Sequence, residues 1–300
     1  MNAPDLSNEP YAIAEQISPL VRRVLARNAS PFSYTGTQTY IVGHGDVAVI
    51  DPGPLGDDPA HVGELIRLLG EETITAIMCT HTHRDHSPAA APLSAATGAR
   101  VIGCAPLVLH DDGPRADAGF DPTYAPDRVL ADGDTVKGTG WTLTAVHTPG
   151  HTSNHLCFAL AEEKALFSGD HIMGWSTTVV SPPDGDMADY MRSLQLLIDR
   201  DDVVYYPAHG KPVDTPQRLA RGMMGHRKQR EGQILRLIER GVGHIPDMVV
   251  ELYKGIDPRL HGAAGRSVLA HLIDLETRER VVADGALWRL KVAYKTELEI

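Results

Sequence analysis

Four side chains able to hold a metal ion fall within six positions: His81, His83, Asp85 and His86. They follow an apolar run, residues 74–79, that reads as a buried strand, and precede a small-residue stretch, 87–97, that reads as a helix. The cluster therefore sits on a loop at a strand end. As free side chains, imidazoles and a carboxylate packed this closely cost desolvation without gain. His81 and His83, two apart, can face one ion, and Asp85 and His86 a second. Neither pair completes a tetrahedral shell. Three later residues can: His151, Asp170 and His209, each in a Gly- or Pro-marked turn after a strand-like run. The expected arrangement places His81, His83 and His151 on one ion, Asp85, His86 and His209 on the other, and Asp170 between them.

With these positions the sequence resembles the metallo-β-lactamase superfamily over about residues 34–210. Segments 36–42 and 49–53 look like the opening hairpin of that family, in which Asp51 is a buried structural residue near the site and not a ligand. The resemblance implies an α/β fold, specifically an αββα sandwich. Two zinc ions roughly 3.5–4 Å apart would share a water and lower its pKa to about 7. Asp85 would orient the resulting hydroxide and take up its proton. Nothing in the chain resembles an activated Ser or Cys nucleophile, and no Gly-rich phosphate loop follows the first strand.

The elements that must position these residues follow from apolar spacing. Residues 37–42 and 47–51 read as a hairpin, 58–69 as a helix, and 100–104, 142–147, 153–160, 165–168 and 203–206 as further strands. A helix over 187–199 precedes the last strand. Strands alternating with helices imply helices covering sheets. The irregular stretch 105–133 is long enough for a lid, and the loop 171–185 is expected to wall the site. Segment 17–26 is expected to lie over the surface as a short amphipathic piece. His44, His61 and His110 are expected at the surface.

Beyond His209 the character changes. Helices are predicted over 216–240, 246–254 and 265–280, with a hairpin around Asp284-Gly285. This divides the chain into a catalytic part, 1–215, and a winged-helix-like part, 216–300. The order, together with segments 167–174, 177–179 and 189–194 and with His226-Arg227-x-x-Arg230-Glu231, is similar to the β-lactamase-like endoribonuclease branch of the superfamily.

The net charge of −11 is uneven, −15 over residues 1–208 and +4 over 209–300. No apolar run approaches the roughly 20 residues that span a membrane, and the first 16 residues lack the pattern of a signal peptide. The three cysteines, Cys79, Cys104 and Cys157, are expected to be reduced core residues of a cytoplasmic protein. The branch resemblance and the basic helix 218–240 point to a phosphodiester such as single-stranded RNA as substrate. Against it stand the acidic catalytic part and the aromatic content of 5%, because single strands are held by stacking. The alternative is a hydrolase of a small thioester, lactone or β-lactam, with the C-terminal part as lid or oligomer contact. A mononuclear iron dioxygenase would use a subset of the same ligands. A purely nucleic-acid-binding role has little support, since 257–300 carries seven basic and seven acidic residues.

Overall fold

A computed structural model describes residues 6–7, 9–55, 60–108 and 119–291. His110 and the start of the helix expected at 58 lie outside these residues. Seven strands form one sheet in sequential order: β1 (Glu15–Gln16), β2 (Val21–Leu25), β3 (Gln38–Val42), β4 (Asp46–Ile50), β5 (Thr73–Cys79), β6 (Arg100–Gly103) and β7 (Arg128–Val129). Two helices, α1 (Ala60–Leu69) and α2 (Ala90–Thr97), connect its parallel strands β4, β5 and β6. A second sheet contains β8 (Thr135–Gly138), β9 (Trp141–His147), β10 (Leu156–Leu160), β11 (Ala165–Gly169) and β12 (Val204–Pro207), in the order β12-β11-β10-β9-β8. Helix α3 (Met187–Ile198) links β11 to the parallel β12.

Side chains alternate across a strand, and β10 shows what each face meets. Leu156, Phe158 and Leu160 enter a core shared with Tyr40 and Ile50 of the first sheet. Cys157 and Ala159 point the other way, into a core with Tyr190, Leu194 and Leu197 of α3. The two sheets thus pack face to face, and the helices cover the outside. Trp141 is buried at the start of β9, and its Nε1 donates to the carbonyl of Asp46 at 2.9 Å, joining the two sheets at that end. At the other end, Gln38 N donates to Ala208 O at 2.8 Å and Tyr40 OH to Pro207 O at 2.6 Å.

The C-terminal part contains α4 (Pro216–Glu239), α5 (Ile245–Leu252), α6 (His261–Thr277) and the hairpin β13 (Val281–Asp284) with β14 (Leu287–Leu290). Ala220 and Met223, early in α4, pack into the core beneath α3. Ile234, Leu237 and Ile238, late in the same helix, pack with α5, α6 and the hairpin. No helix among the described residues is long and apolar enough to cross a membrane.

Two expectations are corrected. Segment 17–26 does not lie over the surface: it contributes β2, an interior strand of the first sheet, with Val21 and Val24 fully buried. His61 is buried as well, its Nε2 3.0 Å from Thr39 Oγ1. His44 is exposed in its turn, 2.8 Å from Pro19 O. The edge strand β8 was not anticipated.

Candidate metal centre

The loops that follow β5, β9, β11 and β12 meet at one end of the sandwich. The loop after β5 brings His81, His83, Asp85 and His86 from the first sheet. The second sheet contributes His151, Asp170 and His209. All seven predicted residues converge in two groups, His81–His83–His151–Asp170 and Asp85–His86–His209, within each of which the ligand atoms lie no more than 4.8 Å apart. In the first group His83 Nδ1 is 2.9 Å from His81 Nε2 and 3.1 Å from His151 Nε2. In the second, His209 Nε2 is 3.2 Å from Asp85 Oδ2. Asp170 faces both groups, with Oδ2 3.7 Å from His151 Nε2 and Oδ1 3.3 Å from His209 Nε2.

Surrounding groups fix which nitrogen of each ring faces inward. His151 Nδ1 lies 2.7 Å from Val179 O, and His209 Nδ1 3.2 Å from Gly36 O. A carbonyl can only accept, so each Nδ1 carries a proton, and in the neutral form of the ring the lone pair lies on Nε2, facing inward. Asp51 does the same for His86, with Oδ2 3.0 Å from His86 Nδ1. Asp51 also accepts from Thr80 N and from Thr80 Oγ1, both at 2.8 Å, and Thr80 Oγ1 in turn lies 3.0 Å from His81 Nδ1. It is buried beside the two groups and belongs to neither.

These residues fit metal ions. His86 Nε2 is buried without a hydrogen bond, 3.5 Å from Asp85 Oδ2 and 3.6 Å from Asp170 Oδ1, an arrangement that costs free energy unless a cation sits among them. Inward lone pairs and two carboxylates are the donor set of a zinc or iron site. The protein's own electrostatics point the same way. Burial raises the Asp85 carboxyl, but His86 and His209 hold it below the usual carboxylate range, and the same two rings lower Asp170. Burial opposes the charged form of His209, yet Asp170 and Asp85 push it up to about 10. Positive charge is favoured at this place.

Further residues support the two groups. His155 is fully buried. Its Nε2 accepts from Asp170 N at 3.2 Å, and its Nδ1 lies 2.9 Å from Thr148 Oγ1. Gly169, at φ +49, lets the chain turn there: a Cβ would lie 2.6 Å from His155 Nε2 and 2.9 Å from Thr80 Oγ1. Thr37 Oγ1 donates to Asp85 Oδ2 at 3.2 Å. Thr178 Oγ1 donates to Asp170 O at 2.8 Å. The loop after Asp170 packs against this end, with Gly174 N donating to His209 O at 2.9 Å and Trp175 stacked on Tyr34 at 4.8 Å.

Arg227 of the basic helix is buried. It donates to Thr178 O, and its guanidinium lies 5.3 Å from the Tyr190 ring. Arg230 donates to Leu252 O at 3.0 Å and lies 4.2 Å from the Tyr253 ring. Lys228 is exposed. Two of the charges expected to guide a polyanion therefore face inward.

Residues 34–209 match the family model of the metallo-beta-lactamase superfamily, and residues 245–288 that of the beta-lactamase-associated winged helix domain. The chain is 33% identical over 232 residues to an atrochrysone carboxyl ACP thioesterase of Cryptosporiopsis sp., covering 77% of this chain and 66% of that protein. A protein of the same description from Claviceps purpurea is 31% identical over 260 residues, 84% of this chain and 76% of its own length. A metallo-beta-lactamase family protein from Thermus thermophilus superposes with a TM-score of 0.73 at 21% identity, over 92% of this chain and 100% of the other.

Proposed function

Because this chain belongs to the metallo-β-lactamase superfamily and carries its associated winged helix domain, we propose that it is a metal-dependent hydrolase of acyl thioesters. The observation that carries this reading is the similarity to relatives named as ACP thioesterases, at 31–33% identity over most of the chain. The helix 218–240 lends the phosphodiester expectation little support, since Arg227 is buried and Arg230 half-buried, so neither belongs to an open basic face that could follow a nucleic-acid backbone.

His81, His83 and His151 would hold one ion, Asp85, His86 and His209 a second, and Asp170 would face both. We infer zinc from the His-rich donor set. Bound zinc supplies a water acidic enough to attack near neutral pH and Lewis acidity toward the carbonyl oxygen. The protein's own groups do the rest. Asp51, Val179 and Gly36 keep the three imidazoles aimed. Asp85, held by Thr37, orients the water and takes up its proton.

The reading is tested by reconstituting the protein with zinc and following thiol release from S-acyl N-acetylcysteamines, beside a labelled RNA. Thiol release that disappears on chelation is expected. RNA cleavage without thiol release would return the phosphodiester reading to first place.

A further inference from the structure

A cleft of about 190 Å³ lies between the loop after Asp170 and the C-terminal helices. Thr178 and Val179 line it. The same two residues support the metal centre, through Thr178 Oγ1 to Asp170 O and Val179 O to His151 Nδ1. One layer of backbone therefore serves as both the wall of the cleft and the support of the ligands. The volume is below the roughly 300–1,000 Å³ of sites that enclose a drug-sized molecule. It suits part of a substrate whose remainder lies elsewhere.

The lining is of two kinds. Phe32, Met173, Trp175, Ile256 and Leu260 make it apolar, and Arg227, Arg230 and His226 stand among them. No Asp or Glu lines it, in a chain of net charge −11. The Nε of each arginine and the Nδ1 of His226 are buried without hydrogen-bond partners. Carbonyl oxygens and aromatic rings hold the guanidinium groups in place, but neither forms an ion pair among the described residues. Two uncancelled positive charges with buried, unused N–H groups make a site for an oxygen anion. Burial and these two charges together lower the His226 imidazole below its ordinary range, as expected in a positive field.

We propose that this cleft receives the far end of the acyl group, an aromatic or other apolar body carrying an anionic oxygen, so that the C-terminal helices select the substrate that the sandwich cleaves. This rests on the thioesterase reading for the identity of the ligand, but the cleft can be tested without it. Ala263, which lines the cleft, is replaced by Phe to fill it, and Arg230 by Gln to remove one charge, with melting curves as the check on folding. Binding of 2,6-naphthalenedicarboxylate is followed by quenching of tryptophan fluorescence, since Trp175 lies in the lining. Saturable binding weakened at least tenfold by either Ala263→Phe or Arg230→Gln is expected. Hydrolysis of 6-carboxy-2-naphthoyl and acetyl thioesters of N-acetylcysteamine is then compared as the ratio of kcat/KM. That ratio should favour the naphthoyl substrate in the parent and fall at least tenfold in each variant, through KM. No binding, or binding insensitive to both substitutions, overturns the proposal. A ratio unchanged in both variants overturns it as well. Saturable binding lost in the variants, with no thioester cleaved by any of them, supports the cleft and sinks only the thioesterase reading.

Discussion

Asp51→Asn separates support of the ligands from ligation itself. In the native protein Oδ1 accepts from Thr80 N, and Oδ2 from Thr80 Oγ1 and His86 Nδ1, at 2.8–3.0 Å. An amide has one acceptor oxygen and one NH₂ donor. If its oxygen stays on Thr80 N, the NH₂ meets the Nδ1 proton of His86. That ring must then change tautomer, moving its proton to Nε2, the atom needed by the metal. If the amide turns round, Thr80 N is left buried and unpaired. The first case removes a charge-assisted hydrogen bond worth about 1.5–3 kcal/mol, in line with the ~10–100-fold loss of metal affinity typical of such supporting groups. The second costs about 1–3 kcal/mol of stability instead. The assay is a zinc titration against a chromophoric chelator, paired with a chemical melt of the metal-free protein. We expect one of two sites to weaken by about 10–100-fold, or the melt to shift by the second amount. Two sites of native affinity together with a native melt would refute the argument that Asp51 aims His86.

Asp170→Ala should retain the fold but bind one metal in place of two and lose most activity, because a carboxylate facing both groups is hard to replace; elemental analysis beside an activity assay checks this, and two tightly bound metals would count against it. Arg227→Met should release the carbonyl of Thr178, costing about 1.5–3 kcal/mol in a urea melt and lowering turnover of every substrate, whereas an unchanged melt would show that the loop holds itself. His271, buried in α6, has its pKa lowered to about 3 by burial and then by Arg227. A histidine kept neutral on folding leaves the unfolded chain with more bound protons between pH 3 and 6.5, so its contribution is full above about 6.5 and declines as pH falls. From pH 6.5 to 5 the protein should lose about 2 kcal/mol that His271→Leu retains, and parallel acid limbs for the two in urea melts would show that His271 does not titrate in this way.

The cluster was legible because His81, His83, Asp85 and His86 are close together in sequence and follow a run that reads as a buried strand, which the structure shows as β5. The later ligands were legible through their turns. The C-terminal helices and hairpin showed in apolar spacing and in the Gly of the turn. What hid β2 was Arg22-Arg23, which reads as a surface patch. Their partners are supplied by the fold: Arg22 pairs with Glu72 at 2.6 Å and Arg23 with Glu15 of the neighbouring β1 at 2.7 Å. His61 and His155 are buried by contacts that only the folded sheets create. Arg227 looked like part of a basic face because a sequence shows charge but not the carbonyl and the aromatic ring waiting across the fold.

The bond from Trp141 to Asp46 lies at one end of the sandwich and the seven ligands at the other, a β9 length of about 20 Å away. A sandwich joined at both ends, with the candidate metal residues at only one of them, has unequal ways to open. Chelation would remove what a bound metal adds there and leave the bonds of Gln38 N to Ala208 O and Tyr40 OH to Pro207 O, so the ligand edge should loosen before the sheets part. Amides of Thr80, Thr148 and Asp170 should then exchange their hydrogens through a partial opening, while those around Asp46 and Trp141 wait for the whole molecule to unfold.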